Sequence, residues 1–484
     1  MTTLSAAIDC SAGQVCDVNV SDIFFDETFV AEPAPGWHFA GWKARQGGLC
    51  VAETGDCRVD ASEFEDLSIL DDPGVIHYLE PKFVVDRTTD GIVSSGSQSV
   101  MQGGANFDLE FYRNTTYSCG LSGKYSFMAI NPAYGNATTE APLWVYLHGG
   151  GTGFFGENGD YIATNNLPQE TWNTEQDTAD LIEILQSRTF DGNGQVEDNT
   201  LTRRINAGYR MLVVTMCDHD SYSGLGTPYP NNPVVGAEVN GMQATMSALE
   251  YTVSNYPTTH VFVHGTSAGS SGAYNLAMSF AVEGIHLTAL VSDSVVSPRQ
   301  IQLSEAYPDN RPPVEGIAEK IGFYTDLEIG IHPEARIDDG FDAAPLMFVG
   351  GVEDPFCQAD QPAIPEAAAL GLNNCEWQAQ GVIDAIAAQS GSPHEVALIA
   401  GAGHVPTIQR VAASNAVDSF ISSVLANSPP DPFADADGDG VPDSVDNCRA
   451  IANPDQTPSL QNPECGAACV TAVCGPAICS NPEF

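Results

Sequence analysis

Basic residues are scarce in this chain of 484 residues. Lysine and arginine together number 17, against 63 aspartates and glutamates, and the formal net charge is -46 at pH 7. So acidic a surface repels the phosphates of nucleic acids and anionic membranes, and it keeps a protein soluble at high ionic strength. The charge therefore excludes a nucleic-acid partner and suits a saline or marine exterior.

Three further features are missing. No apolar run is long enough to cross a bilayer, so we expect no transmembrane segment. The first residues, Met1-Thr-Thr-Leu4, lack the basic and apolar residues of a secretory leader, and we expect a mature chain whose signal peptide has been removed. Glycine patterns of the dinucleotide-binding type are absent, so no cofactor is expected for catalysis.

The 13 cysteines lack the paired Cys-x-x-Cys spacing of zinc sites. Three pairs are close in sequence: Cys10 with Cys16, Cys50 with Cys57, and Cys357 with Cys375. A C-terminal cluster without histidine comprises Cys448, Cys465, Cys469, Cys474 and Cys479. These spacings predict disulfides and a secreted or cell-surface location. The odd count leaves at least one free thiol or a bridge to a partner.

Residues 1–90 predict a small β module, because short strand-like segments are broken by glycine and proline. The pattern Pro33-x-x-Gly36-x-x-Phe39-x-Gly41-Trp42, followed by a cysteine pair, resembles the small β repeats of bacterial surface proteins, internalin-like repeats among them. We expect Trp42 in the core of this module. Trp37 fits either the core or an exposed polymer-binding platform.

Residues 91–428 predict an α/β fold. Eight apolar runs are strand candidates: Phe107–Tyr112, Tyr125–Ile130, Leu143–Leu147, Met211–Met216, His260–His264, Leu287–Val291, Pro345–Val349 and Val396–Ile399. Helical segments near 236–255, 376–390 and 407–425 separate the later runs, which indicates a mostly parallel eight-stranded sheet with an antiparallel start. Long interruptions at 155–206 and 296–340 are expected to form a cap that sets substrate choice.

The fifth strand candidate runs directly into Gly265-Thr-Ser267-Ala-Gly269, and a helix of small residues follows. Two glycines around a serine, between a strand and a helix, are typical of the sharp turn on which an α/β-hydrolase presents its nucleophile. Upstream, His148-Gly149-Gly150-Gly151 follows another strand candidate. We expect the N–H groups of Gly150 or Gly151 and of Ala268 to form an oxyanion hole.

Acyl transfer by Ser267 also requires a base and an acid that orients it. Asp354 follows the strand candidate at 345–349 and is the predicted acid; Glu353 and Asp293 remain alternatives. His404 follows the last strand candidate and is the predicted base. His264 and His219 are its rivals, because both lie near strand ends.

These motifs, with the segment Met216-Cys-Asp-His219-Asp-Ser-Tyr-Ser-Gly224, resemble the pectin acetylesterase and Notum group of α/β-hydrolases. The resemblance implies a serine carboxylesterase with Ser267, Asp354 and His404 as its triad, acting on acylated glycans or lipidated protein. The chain departs from the group at Ser270, where a further glycine is frequent, and at His148 before the glycines. Longer acyl chains, phenolic esters and polyesters therefore stay open as substrates.

Residues 429–484 contain an acidic motif of cation-binding type. Its oxygen donors are the carboxylates of Asp435, Asp437, Asp439, Asp443 and Asp446 and the carbonyl of Val441. This donor set suits calcium, and the segment resembles one thrombospondin type 3 repeat; the alternative is an acidic, disordered tail. The usual tandem array is missing, so disulfides are expected to stabilise the single repeat, with Ca²⁺ in a structural role.

The sequence thus predicts a secreted or surface-attached serine ester hydrolase whose substrate is an acylated polysaccharide or a polyester, with terminal modules for cell-surface or matrix attachment. A second hypothesis is a calcium-binding adhesion or scaffold protein whose hydrolase fold is inactive. Amide or peptide hydrolysis by the same triad also remains open.

Overall fold

The computed structural model describes most of the chain in segments. These are residues 1–10, 18–20, 23–33, 37–42, 49–50, 55–63, 77–79, 81–102, 105–133, 135–151, 153–156, 158–163, 174–189, 199–224, 226–228, 231–234, 237–283, 287–294, 344–357, 359–388 and 393–427. The predicted calcium ligands, the C-terminal cysteines, the second predicted cap at 296–340 and Cys16, the predicted partner of Cys10, lie outside the described residues. The chain divides into two compact units, Met1–Arg87 and Thr88–Phe484.

The first unit contains two small antiparallel sheets. One pairs β1 (Thr2–Thr3), β2 (Asp26–Val30) and β4 (Cys57–Asp60); the other pairs β3 (Trp37–Trp42) with β5 (Pro81–Val85). Trp42 is 2% exposed, as expected for a core residue, and its indole N–H donates to Gly55 O at 2.8 Å. Trp37 is half-buried. The predicted Cys50–Cys57 disulfide is present and ties β4 to the preceding segment.

The second unit is built on one large sheet. Its strands are β6 (Ile92–Gln102), β7 (Ala105–Ser118), β8 (Lys124–Ile130), β9 (Ala141–Leu147), β12 (Arg210–Val214), β15 (Thr258–Thr266), β16 (Ala289–Asp293), β17 (Leu346–Gly351) and β18 (Glu395–Ile399). Their order across the sheet is β6-β7-β8-β12-β9-β15-β16-β17-β18. Strands β6, β7, β8 and β12 pair antiparallel, and the neighbours from β12 to β18 pair parallel. The antiparallel start and the parallel remainder agree with the sequence prediction.

The expected number of strands was wrong, because the described part of the chain already places nine strands in this sheet instead of eight. All eight predicted strands are present, and the additional one is the edge strand β6. Its sequence, IVSSGSQSVMQ, is dominated by serine and glutamine, and most of its residues are exposed. An edge strand facing water contains no apolar run, so a search for apolar runs does not detect it.

Helices cover both faces of the sheet. They are α1 (Thr178–Thr189), α2 (Thr200–Asn206), α3 (Gly241–Asn255), α4 (Ala268–Glu283), α5 (Pro365–Leu370), α6 (Asn374–Ala388) and α7 (Val411–Asn427). Met128 of β8 belongs to the core shared with α1, α2 and α7, whereas its neighbour Phe127 contacts Tyr251 of α3. Successive strand residues point to opposite faces, so α3 lies on the other side of the sheet.

Part of the first predicted cap is core instead. Within 155–206, α1 and α2 bury Leu181, Leu185, Leu201 and Ile205 against the sheet. An apolar face of this kind needs a partner, and the sheet face provides it. The described remainder of this segment includes β11 (Tyr161–Ala163), which pairs antiparallel with β10 (Gly153–Phe155). Two further short strands, β13 (Thr227–Pro228) and β14 (Glu238–Val239), also pair antiparallel.

Three disulfides join described residues. Cys357–Cys375 was predicted along with Cys50–Cys57, whereas Cys119–Cys217 was not. The last pair is separated by 98 residues in sequence, so its spacing carries no signal. It fastens the end of β7 to the segment after β12. Within the described residues, no helix is long and apolar enough to span a membrane.

Candidate active site

The predicted site residues all follow parallel strands. Gly149–Gly151 follow β9, Ser267 follows β15, Asp354 follows β17 and His404 follows β18. The carboxyl ends of parallel strands meet at one edge of a sheet, so these loops emerge on the same side of the molecule. Ligands bind at this edge in open α/β sheets.

Ser267 occupies the turn between β15 and α4 in the left-handed region, with φ of 53°. Few residues other than glycine adopt this conformation. The N–H of Ser267 donates to Asp293 O at 2.8 Å, which fastens the turn to the end of β16. At Gly269 a Cβ would collide with the carbonyl group of Leu147 at the end of β9, so only glycine permits α4 to approach this strand so closely. Ser267 is half-buried, so part of its surface is open to solvent.

Ser270 is the position at which the sequence departs from the pectin acetylesterase and Notum group. Its side chain stabilises this turn. Its buried hydroxyl lies 2.6 Å from Gly265 O and 2.7 Å from Asp293 O, and it accepts the N–H of Asp293 at 3.0 Å. The side chain thereby joins the ends of β15 and β16. A glycine at this position would lack the hydroxyl that holds the two strand ends together.

The glycine loop runs directly against the turn. The N–H of Gly149 donates to the hydroxyl of Thr266 at 3.1 Å. A Cβ on Gly149 would lie 2.8 Å from the Cβ of Ser267, so a larger residue would displace one of the two segments. Gly150 and Gly151 follow and are half-buried. The N–H of Ala268, at the start of α4, has no partner within its own helix by the geometry of helix ends.

Asp354 and His404 are brought together. Asp354 Oδ2 accepts a hydrogen bond from His404 Nδ1 at 2.8 Å, and Asp354 Oδ1 accepts the N–H of Phe356 at 2.7 Å. The ring of Phe356 lies 4.3 Å from the imidazole, centroid to centroid. Within the described part of the chain, Nε2 of His404 has no hydrogen-bond partner, so no bond joins it to Ser267.

The residues Asp293 and Ser294 connect the serine turn to the histidine loop. Asp293 O holds Ser267, its carboxylate accepts the N–H of Thr407 at 2.9 Å, and Ser294 Oγ accepts the N–H of Val405 at 2.9 Å. Burial raises the pKa of Asp293 to about 6, against the hydrogen bonds from Thr407 and Ser294 and the nearby His404. These two residues, at the end of β16, therefore hold both the turn after β15 and the loop after β18.

The alternative acids take other positions. Glu353 is exposed. Asp293 is buried, and its carboxylate accepts hydrogen bonds from Thr407 and Ser294 rather than from an imidazole nitrogen. Only Asp354 among the three forms a hydrogen bond with His404 in the described residues.

The rival histidines are buried and engaged elsewhere. His264 lies within β15, where its Nε2 is 3.0 Å from the hydroxyl of Thr407, and burial lowers its pKa to about 3. His219 contacts the glycine loop, with Nε2 3.0 Å from Gly150 O. His148 is also buried, its Nδ1 donates to Gly149 O at 2.8 Å, and burial lowers its pKa to about 3. Among these four rings, His404 is the one for which the structure shows a hydrogen bond to a carboxylate, that of Asp354.

The sequence offered no signal for three residues that shape this region. Ser294 and Tyr161 belong to no motif, and Phe356 is one of 21 phenylalanines in the chain. Their contacts with the histidine loop or with His219 arise only from the fold. Of the three, only Ser294 had an indication in the sequence, because it lies shortly after a predicted strand, where the site residues of open α/β sheets are found.

A left-handed serine between a strand and a helix resembles the turn on which α/β-hydrolases present their nucleophile. A thrombospondin type 3 repeat model matches residues 434–456, which confirms the predicted C-terminal repeat. No curated protein sequence matches the chain. Among the described residues, no cluster of side chains has the composition of a metal site.

Several solved structures are similar to the chain at low identity. A glucuronoyl esterase from Solibacter usitatus is 12% identical, with 69% of this chain and 85% of that chain covered and a TM-score of 0.37. An S-formylglutathione hydrolase from Agrobacterium tumefaciens is 10% identical, with 68% and 99% covered and a TM-score of 0.40. A structure from work on two prolyl endopeptidases is 12% identical, with 72% of this chain and 41% of that chain covered and a TM-score of 0.36.

Proposed function

We propose that the chain is a secreted serine hydrolase of carboxylic esters, with Ser267 as nucleophile, His404 as general base and Asp354 as the acid that orients it. The hydrogen bond between Asp354 and His404 Nδ1, at the same sheet edge as the left-handed Ser267, carries this proposal. With Nδ1 donating to the carboxylate, the imidazole keeps Nε2 unprotonated and able to accept a proton.

The reaction follows from these positions. As Ser267 Oγ attacks the ester carbonyl, its proton passes to His404 Nε2, and the imidazolium is stabilised by Asp354. The negative charge on the carbonyl oxygen is stabilised by the N–H of Gly150 or Gly151 and the N–H of Ala268. His404 then gives the proton to the leaving alcohol. Water, deprotonated by His404, hydrolyses the acyl-enzyme and restores Ser267.

For the substrate, we propose an acylated polysaccharide, with the acetyl group first among acyl groups. Support comes from the resemblance of the motifs to glycan-deacylating hydrolases and from the terminal modules. The disulfides and the thrombospondin type 3 repeat support a secreted or cell-surface location. Five carboxylates and one carbonyl in residues 435–446 form a hard, oxygen-only donor set, which fits a structural Ca²⁺.

Hydrolysis of nitrophenyl esters graded from acetyl to palmitoyl tests the proposal. We expect kcat/KM to be highest for acetyl and to fall by about 10⁴-fold or more in Ser267→Ala. Ser422→Ala, which removes an exposed hydroxyl on α7, is the matched control and should leave kcat/KM unchanged. A maximum at long acyl chains would contradict the acetyl assignment. Absence of hydrolysis at every length would favour the adhesion or scaffold protein.

A further inference from the structure

His219 occupies a buried, strained loop after β12. Met216–Gly224 is buried throughout, and three of its residues that are not glycine have positive φ: His219 at 54°, Ser221 at 57° and Tyr222 at 58°. Such conformations are unfavourable and persist only when the surroundings hold them, which is frequent at functional sites. The strained backbone therefore indicates that this loop has a functional role.

Strong constraints hold this loop in place. The carboxylate of Asp220 accepts the N–H of Tyr222 at 3.0 Å and the N–H groups of Gly224 at 2.7 Å and Gly241 at 3.1 Å. The disulfide from Cys217 to Cys119 fastens its start to the sheet. These bonds fix the position from which the ring of His219 projects.

The ring of His219 bridges two neighbouring elements. Its Nε2 lies 3.0 Å from Gly150 O, and its Nδ1 forms a hydrogen bond with the hydroxyl of Tyr161 in β11. A carbonyl oxygen only accepts, so Nε2 must carry the proton. In the neutral ring Nδ1 then has a lone pair, and the Tyr161 hydroxyl donates to it. Tyr161 thus selects the tautomer that can hold Gly150.

Holding Gly150 O also orients the next N–H. The carbonyl of Gly150 and the N–H of Gly151 belong to one planar peptide unit, and in a trans peptide they point in opposite directions. Once His219 draws the carbonyl to its own side, the N–H of Gly151 must point to the other side of the loop. The loop itself is packed against Ser267 at Gly149.

We propose that His219 and Tyr161 are positioning residues for the oxyanion hole, with His219 fixing the direction of the Gly151 N–H and Tyr161 fixing the tautomer of His219. This inference rests on the proposed ester hydrolase. It assigns Gly151, rather than Gly150, as the N–H donor from the glycine loop. A preorganised donor stabilises the transition state more than the bound substrate, so its loss lowers kcat and leaves KM nearly unchanged.

Kinetics of His219→Asn and Tyr161→Phe test this role. Asparagine tolerates positive φ but is too short to replace the ring, and phenylalanine removes only the hydroxyl. We expect kcat to fall about 10- to 100-fold in His219→Asn and by a smaller factor in Tyr161→Phe, with KM within about twofold. A trifluoromethyl ketone, which mimics the tetrahedral intermediate, should bind each variant more weakly in proportion to the loss of kcat. The matched control is His38→Asn, which replaces an exposed ring in the first unit and should change neither constant.

The kinetic results for these variants either support or overturn the positioning role of His219 and Tyr161. Unchanged kcat in both variants, or a loss that appears in KM and leaves the ketone affinity intact, overturns the positioning role. If His219→Asn does not fold, Tyr161→Phe alone gives the answer, because it keeps the ring that packs against the loop. Absence of Ser267-dependent hydrolysis in the unaltered protein overturns the proposed function instead, which separates the two failures.

Discussion

At the level of single residues, His404 lies near two buried carboxyl groups whose hydrogen bonds differ. Asp354 bonds the imidazole, whereas Asp293 is occupied by Thr407 and Ser294. Chain order and strand ends were enough to propose Ser267, Asp354 and His404. Glu353 and Asp293 stayed open as alternatives to Asp354, because all three follow or end predicted strands and the sequence does not show which carboxylate faces His404.

Replacing Asp354 by asparagine should lower kcat by about 10³- to 10⁴-fold, because an amide can hold the imidazole in the wrong tautomer. Steady-state hydrolysis of nitrophenyl acetate measures the effect. Glu353→Gln neutralises the adjacent, exposed carboxylate and is the matched control, with kcat unchanged. A larger loss in Glu353→Gln, or in Asp293→Asn, than in Asp354→Asn would assign the acid to the other residue.

The buried ring of His264 predicts a pH dependence of stability. Its pKa is about 3 in the folded chain and near 6.5 when unfolded, so only the unfolded chain takes up this proton between those values. The contribution of His264 to stability is complete above pH 6.5 and declines as the pH falls toward 3. Between about pH 7 and pH 5, the free energy of unfolding of the unaltered protein should therefore fall by about 2 kcal/mol more than that of His264→Gln. Urea unfolding at the two pH values measures this difference. Parallel curves for the two proteins would show that His264 does not stay neutral in the fold.

Among the elements, the apolar strands were predictable, whereas the polar edge strand and the packing of two helices were not. The eight apolar strands and α3, α6 and α7 follow from runs and periodicity, because these segments bury their side chains. Strand β6 escaped detection since serine and glutamine face water there. The helices α1 and α2 were assigned to a cap because nothing local distinguishes a helix that packs on the sheet from one that covers its edge.

Because the glycine loop contacts the serine turn, we expect Gly149→Ala to lower both activity and stability. The added methyl group would meet Thr266 O at 2.7 Å and Ser267 Cβ at 2.8 Å, so the loop must move. We expect kcat/KM to fall at least about 10-fold and the free energy of unfolding to drop by about 1–3 kcal/mol. In the control Gly55→Ala, a Cβ meets nothing within 4 Å, and neither quantity should change. Full activity in Gly149→Ala would mean that this contact does not position the oxyanion hole.

For the whole molecule, we expect the predicted calcium site of the C-terminal repeat to affect stability and to leave the proposed chemistry unchanged. Chelation of calcium should lower the melting temperature of the transition that belongs to residues 429–484, because a ligand of the folded state stabilises it by mass action. Calorimetry with and without chelator measures this shift, and esterase activity should persist throughout. No shift on chelation would rule out the calcium assignment, and loss of activity would show that the metal supports the catalytic unit.

The nucleophilic role of Ser267 is the central claim, and a fluorophosphonate probe tests it most directly. The probe reacts with serines that an adjacent base activates, and mass spectrometry of the labelled peptide identifies the modified residue. We predict stoichiometric labelling on Ser267, loss of labelling in Ser267→Ala and much slower labelling in His404→Ala. Labelling of another serine, or none in a folded protein that contains Ser267 and His404, would contradict the account.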